Sequence, residues 1–459
     1  MSRRIVGIET EYGITCAPHT SGKPPLDAEA AAAKLFAPIV AKGRSTNVFL
    51  PKGGRLYLDV GDHPEYATAE CDQVSDLLAQ IRAGHDLIAD LAAQANRALV
   101  AEGIDGTIHI FRNNADSRGN SYGCHENYLI GRHADFHQRV SRLVPFFVTR
   151  QIVVGSGYLK LKRGRVSYGF SQRADQTWDA ISSASTRSRP IINTRDEPHA
   201  DAQRFRRMHV IVGDTNVCEA ATLAKVEVTL LVLQAAEAGV LPEVELVDPM
   251  RAIREVCQDL SGTVKIDVVG HGARTAVEIQ RMYLDAITKL NVSYSANQRY
   301  ALDLWDRGLT AVTTGDTSAV DTELDWAIKK KLLDRQVERG VTYDSMLASR
   351  LMLAYHDITA AGLSDTMESR GMMRRITTPS EVEAALTTPP ATTRAHLRGR
   401  FIAAAEANRR DYSADWTHVR LRDDRGTTLR LDDPYATSDP RVDELIALMP
   451  RSVPDMPWC

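Results

Sequence analysis

The sequence predicts an α+β protein: a large domain built on a mainly antiparallel sheet backed by helices, then a small C-terminal domain. Three observations carry this. Alternating, strand-like segments crowd the N-terminal half, and amphipathic helical periodicity dominates beyond about residue 250. The pair Pro389-Pro390 then breaks the chain ahead of one more helix and two alternating segments, which places the domains at 1–388 and 389–459.

The elements follow in order. Residues 4–13 read as one strand, with Ile5, Gly7, Glu9 and Glu11 on one face and Val6, Ile8, Thr10 and Tyr12 on the other. A Gly/Pro-rich stretch, Ser21–Pro25, leads to a helix opened by Asp27. Residues 54–60 form a second strand, with Leu56, Leu58 and Val60 facing one way and Arg55, Tyr57 and Asp59 the other. A long helix follows, with Ser75 as its predicted N-cap and Gly103 as its stop. Residues 107–111 and 123–130 read as further strands, and 146–154 is too apolar to lie outside the core. A short buried strand at 209–212 precedes a helix over 219–238. Thr378-Pro379-Ser380-Glu381 is a capping box with proline at the first helical position. A helix over 393–408 and strands over 415–421 and 427–431 complete the chain.

Composition excludes several classes. With 56 basic and 59 acidic residues the net charge is −3, so a general nucleic-acid binder is not expected. The six cysteines contain no CxxC pair, which excludes a zinc ribbon and a thioredoxin-type motif and fits a reducing compartment. The start, MSRRIVGIETEYG, has no apolar signal core. The most apolar stretch, 226–238, is short and carries Glu227, Gln234 and Glu237. A cytoplasmic protein with no membrane partner is expected.

Charge placement points to chemistry. Glu9 and Glu11 share one face of a strand whose other face is apolar, about 7 Å apart, and repel unless something positive lies between them. Arg55, Tyr57 and Asp59 repeat the pattern, and Glu65 and Glu70 follow. A sheet face carrying several carboxylates, an arginine and a tyrosine is a candidate metal–nucleotide site, and oxygen donors suit Mg²⁺ better than zinc. Neither GxxxxGK[ST] nor GxGxxG is present, so side chains and metal would hold phosphates. Residues 182–207 are rich in arginine (Arg187, Arg189, Arg195, Arg204, Arg206, Arg207, with Arg173 nearby) and read as a functional loop suited to phosphate or carboxylate groups. His125 and His209 each read first as core histidines, and His209 gains as a ligand if its strand neighbours the acidic ones. Cys71 and Cys124 read as packing residues.

Six segments together resemble the Pup ligase family: GIETEYG at 7–13, GRLYLDVGDHPEYATAECD at 54–72, GNSYGCHENYL at 119–129, TRSRPIINTRDEPHAD at 186–201, MHVIVGDTN at 208–216 and VDTELDWAIKKKL at 320–332. They are spread over nearly the whole chain. The family is a branch of the glutamine synthetase-like carboxylate–amine ligases, so the resemblance implies a curved sheet in the large domain. It implies ATP and Mg²⁺ as cofactors, with Pup and lysine-bearing proteins as partners. The reaction implied is phosphorylation of the γ-carboxylate of the Pup C-terminal glutamate, then an isopeptide bond to a lysine that marks the protein for proteasomal degradation.

Carried over residue by residue, the resemblance implies that Glu9, Tyr57 and Glu65 bind Mg²⁺, with Glu11 and His209 as further ligands. It also implies that Arg55, Thr68 and Trp416 contact ATP, and that Asp59 is the catalytic base. Arg195 is the first choice in the arginine-rich segment for holding anions. Two alternatives remain open. One is the related Pup deamidase/depupylase, disfavoured because Gly13 and Gly54 leave no room for that branch's insertion. The other is a non-catalytic scaffold that binds Pup or the proteasome.

Overall fold

The computed structural model describes residues 3–59, 61–116, 119–162, 164–184, 189–423 and 426–449. Val60, Arg187 and Cys459 therefore lie outside the described residues. The strands of the first half are β1 (Val6–Glu11), β2 (Gly13–Ala17), β3 (Asn47–Phe49), β4 (Arg55–Asp59), β5 (His63–Ala67), β6 (Thr107–Phe111), β7 (Cys124–Gly131), β8 (Tyr158–Lys162), β9 (Arg165–Gly169), β10 (Asp179–Ser182), β11 (Pro190–Asn193) and β12 (Phe205–Val210). Eight of them form the main sheet in the order β10-β11-β12-β7-β1-β5-β4-β3. Every pairing is antiparallel except β10 with β11.

One face of this sheet is dry. Val6 and Ile8 of β1, Cys124 and Tyr128 of β7, and Met208 and Val210 of β12 enter a core shared with the helix Glu219–Glu237 and the short helices Val144–Thr149 and Gln151–Val154. The helix Glu219–Glu237 is apolar nearly all round because other helices pack on its far side. At the other end, Leu56 and Tyr66 pack against the helices Ala28–Val40 and Val74–Ala101. Gly84 of the second helix permits this, since a Cβ there would fall 2.2 Å from the Tyr66 ring.

The structure corrects several predicted boundaries. Residues 4–13 are not one strand: β1 ends at Glu11, and β2 leaves to pair with β6 in a separate sheet. Gly13 marks the departure, closely packed on Tyr122. Ser75 is not an N-cap, because the helix begins at Val74 with Gln73 before it and no side-chain cap. The buried strand near His209 spans β12, and residues 182–207 are not simply a loop, since the fully buried β11 lies within them. The Thr378 capping box and the Asp27 cap form as predicted.

After the hairpin β13 (Lys265–Val268) and β14 (Gly272–Thr275) the chain is helical up to about residue 407. The C-terminal segment adds β15 (Tyr412–Ala414), β16 (His418–Leu421) and β17 (Thr428–Arg430), which pack with the helices Ala395–Ala407 and Pro440–Ala447 around Phe401, Ile402, Val419, Leu421 and Val442. Strand β16 starts late because the Asp415 carboxylate accepts from the backbone N–H groups of Thr417 and His418, folding 415–417 into a turn.

This segment is tied to the main sheet by a buried carboxylate. Glu70 accepts from Arg394 Nε at 2.9 Å and from both terminal nitrogens of Arg398, one of them at 3.0 Å. Burial pushes the Glu70 pKa up, but Arg398 and Arg394 outweigh it and hold it at about 2. Arg398→Met leaves Glu70 with half its compensation, so we expect a loss of about 3–5 kcal/mol in urea unfolding at neutral pH. An unchanged midpoint would show that the pair is not what docks this segment.

Candidate active site

The second face of the sheet carries the polar residues. Strand alternation sends Gly7, Glu9 and Glu11 of β1 to this side. Antiparallel register then sets Glu9 beside His125 of β7 and Ala67 of β5, with Arg55 of β4 one strand further. Glu11 lies opposite Glu65, which lies opposite Tyr57. His209 of β12 is opposite Asn127, whose other neighbour is Gly7. One strand, β7, therefore separates the His209 strand from the acidic β1.

Glu9 is the centre of this array. Its carboxylate accepts from Asn127 Nδ2 at 3.0 Å and lies 3.2 Å from His125 Nδ1. Arg207 Nη1 is 3.8 Å away and His209 Nε2 is 3.9 Å away. Candidate ligand atoms of Glu9, His125 and His209 all lie within 4.8 Å of one another. Burial alone would raise the Glu9 pKa, but the His125 hydrogen bond and the neighbouring His209, His125 and Arg207 bring it well below the usual carboxylate range. Burial lowers the His209 pKa to about 3. His209 is therefore uncharged at neutral pH.

Next along β1, Glu11 accepts from the Gly123 backbone N–H and lies 2.7 Å from His63 Nδ1. His63 packs edge-on against Tyr122 and faces Asp59 across the β4–β5 pairing. Asp59 is exposed at the end of β4. Glu65 is 4% exposed. Burial, then the adjacent Glu9, Asp59 and Glu11, push its pKa well above the usual range, against a hydrogen bond from Tyr57. Burial, then Glu9 and Glu65, keep Tyr57 a neutral phenol. Arg55 lies over the Tyr57 ring at 4.1 Å and donates to Asn47 Oδ1 at 2.9 Å.

A pocket opens from Glu9 toward the C-terminal segment, with about 570 Å³ of empty space. Gly7 and Thr68 are on its floor, and Leu129, Pro198, His199, Arg207 and Trp416 are among its walls. Trp416 is outside the C-terminal core: its ring meets Phe49 edge-on at 4.9 Å and lies under the Arg398 guanidinium. His199 is held with φ at 47°, a left-handed conformation unusual for histidine, and its carbonyl accepts from Arg394. Arg195 stands apart from the pocket lining, 60% exposed and paired with Glu197 at 2.8 Å.

The family model for "Pup-ligase protein" matches residues 4–420. The chain belongs to the Pup ligase family. It is 50% identical over 455 residues to the Pup–protein ligase of Jonesia denitrificans, covering 98% of this chain and 99% of that one. It is 49% identical over 454 residues to the Pup–protein ligase of Mycolicibacterium smegmatis, covering 98% and 100%. The crystal structure of a complex between Pup and its ligase PafA superposes with a TM-score of 0.92 at 42% identity, covering 98% of this chain and 91% of that one. The ligase PafA in complex with ADP gives 0.83 at 43% identity, covering 91% and 93%.

Within this Pup ligase fold, Glu9, Glu11, Tyr57, Glu65, Asp59, Arg55 and His209 share one sheet face, while Thr68 and Trp416 line the adjoining pocket. Sequence reasoning missed three neighbours of this group: His125, read as a core histidine, Asn127 and His63. Same-face spacing of His125 and Asn127 with an expected partner strand was the available signal, but register is needed to use it. Glu65 supplies a pH test. Its raised pKa stabilises the fold fully below the unfolded value, and that contribution is lost as pH rises toward the folded one. In EDTA, the stability of the wild type should therefore fall from about pH 4.5 upward relative to Glu65→Gln. Parallel pH profiles would remove Glu65 from the crowded cluster.

Proposed function

We propose that this Pup ligase couples ATP cleavage to isopeptide formation on the open face of its sheet. The observation that carries this is one continuous pocket lined by Glu9, Thr68 and Trp416 together. Trp416 offers an aromatic face for a base. Gly7 leaves the floor bare beside Thr68, so a triphosphate could run along β1 toward the carboxylates. Arg55, one row over, and Arg195, on the flanking segment, are the further nucleotide and anion contacts of this reading.

The residues fit a hard divalent cation. Glu9, Glu11, Glu65 and Asp59 crowd together, and burial together with the repulsion of these neighbours raises the proton affinity of Glu65. Mg²⁺ takes one or two carboxylates together with substrate phosphates, and Glu9, Glu65 and the Tyr57 oxygen would hold it, with Glu11 and His209 beside them. When bound, such an ion lowers the repulsion between ATP phosphates and an incoming carboxylate.

In the first step an oxygen of the Pup glutamate γ-carboxylate bonds to the γ-phosphorus, the bond to the β-phosphate oxygen breaks, and ADP leaves. In the second, a lysine nitrogen attacks the acyl carbon and inorganic phosphate departs. That lysine has an ordinary pKa near 10.4, so a proton must be taken from it. Asp59, exposed at the end of β4, would receive it and attract the ammonium beforehand. The C-terminal segment at 389–459 would act as the unit that closes on the nucleotide. Five described cysteines, all buried and unpaired, and the lack of any described helix able to cross a membrane support a cytoplasmic setting.

Two variants test the roles. Asp59→Asn should abolish conjugation, at least about 100-fold in rate, while ATP affinity stays near the wild type. Normal conjugation by this variant would refute the base assignment. Glu9→Ala should lose metal-dependent nucleotide binding in calorimetry, and an unchanged ATP affinity in the presence of Mg²⁺ would take Glu9 out of the metal shell.

A further inference from the structure

We propose that a small internal cavity, separate from the nucleotide pocket, binds one monovalent anion of chloride size between Arg112 and His85. The cavity lies where the helix Val74–Ala101, the residue following β6 and the start of the helix Glu219–Glu237 meet, and it has room for one small ion. Arg82, His85, Arg112, Asn216, Glu219 and Thr222 supply its polar lining.

Arg112 is 5% exposed and always charged, yet its terminal nitrogens donate only to His85 Nδ1 at 2.8 Å and to the Val217 carbonyl at 3.1 Å, both neutral acceptors. Its Nε has no partner among the described residues. Elsewhere a carboxylate compensates the buried guanidinium: Glu126 for Arg150, Glu70 for Arg394 and Arg398, and Glu237 for Arg4. Arg173, which has no such pair among the described residues, spends its terminal nitrogens on three neutral oxygens. An uncompensated buried charge is costly, so Arg112 calls for one negative charge beside it.

His85 points the same way. Because its Nδ1 accepts from Arg112, which can only donate, the ring proton sits on Nε2, and that N–H has no described partner either. Burial, then Arg112, Arg82 and Lys52, hold the His85 pKa well below the usual imidazole range, so the ring is neutral. Tyr12 meets this ring edge-on at 5.8 Å, and its buried hydroxyl is a further unpartnered group. The nearby carboxylates are engaged. Glu219 accepts from the Ile376 and Thr377 backbone N–H groups, Asp325 from those of Val217 and Cys218, and Asp365 and Glu368 from Arg82. A water would suit the unpartnered Asn216 Oδ1 and the donors, but it would leave the Arg112 charge uncompensated.

The test is anomalous diffraction from crystals of the full-length protein in sodium bromide. Urea unfolding of wild type and Arg112→Met, in chloride and in gluconate at equal ionic strength, accompanies it. A bromide peak within hydrogen-bonding reach of Arg112 Nε and His85 Nε2 is expected. The wild-type midpoint should be about 0.3 M higher in chloride than in gluconate, and Arg112→Met should show no chloride-specific gain. Density at that position without an anomalous signal would mean a water and would overturn the inference. So would an equal chloride response in the two proteins. A bromide peak with no chloride response of the wild type would mark binding at crystal concentration only, and would overturn it too. If Arg112→Met does not fold, the wild-type crystal and the wild-type chloride response decide. Neither readout involves Pup or nucleotide, so the inference stands or falls apart from the function proposed above.

Discussion

Everything about the pocket depends on how one buried carboxylate, Glu70, is satisfied. It lies at the sheet end that follows β5 and Thr68, and it is clamped by two arginines of the helix Ala395–Ala407 and its approach. Arg398 also donates to the Trp416 carbonyl at 3.1 Å and to the Gly53 carbonyl at 2.8 Å. Arg394 reaches the Leu431 carbonyl and the strained His199. Burying three charges is expensive, and attraction offsets the expense only when the geometry is nearly complete. Here the same contacts set the distance between Thr68 on the sheet and Trp416 on the C-terminal segment.

The open face answers a different constraint. Phosphoryl transfer to a carboxylate brings together two anions, so a site for it must gather cations without shielding the reacting atoms. This face separates the tasks by row. Glu9, Glu11 and Glu65 gather in one cluster, in which Glu9 is compensated by its neighbours and Glu65 is not. Arg207 and Arg55 border it on opposite sides. Asp59 and His63, at the far end of the β4–β5 pair, are furthest from the pocket that Trp416 lines. The Trp416-lined pocket, the carboxylate cluster and the exposed Asp59 thus share this one face of the sheet.

Much of this was legible in the residues. Alternation alone put Glu9 with Glu11 and Arg55 with Tyr57 and Asp59, because a strand has only two faces and the leucines and valines claim one of them. The Thr378 capping box and the buried helix Glu219–Glu237 were equally plain. What alternation cannot give is which strand lies beside which. His125 joined Glu9 only through the β1–β7 register, and Arg207 differs from Arg195 only by lying on a paired strand instead of an exposed connection. Strand β11 was hidden for a related reason: Ile191 and Ile192 are too short an apolar run to stand out among the six arginines of 182–207, although the sheet buries them fully. The missing N-cap at Ser75 shows tertiary packing overriding a local preference, since Val74 is drawn into the core one residue earlier.

The most direct measurement is a gel assay of the purified chain with Mg²⁺-ATP, Pup ending in glutamate and a lysine-bearing protein. A slower-migrating covalent conjugate that appears with ATP and vanishes without it is the predicted result. Absence of that conjugate, together with release of Pup from a preformed one, would contradict the account and make the same face a hydrolytic site.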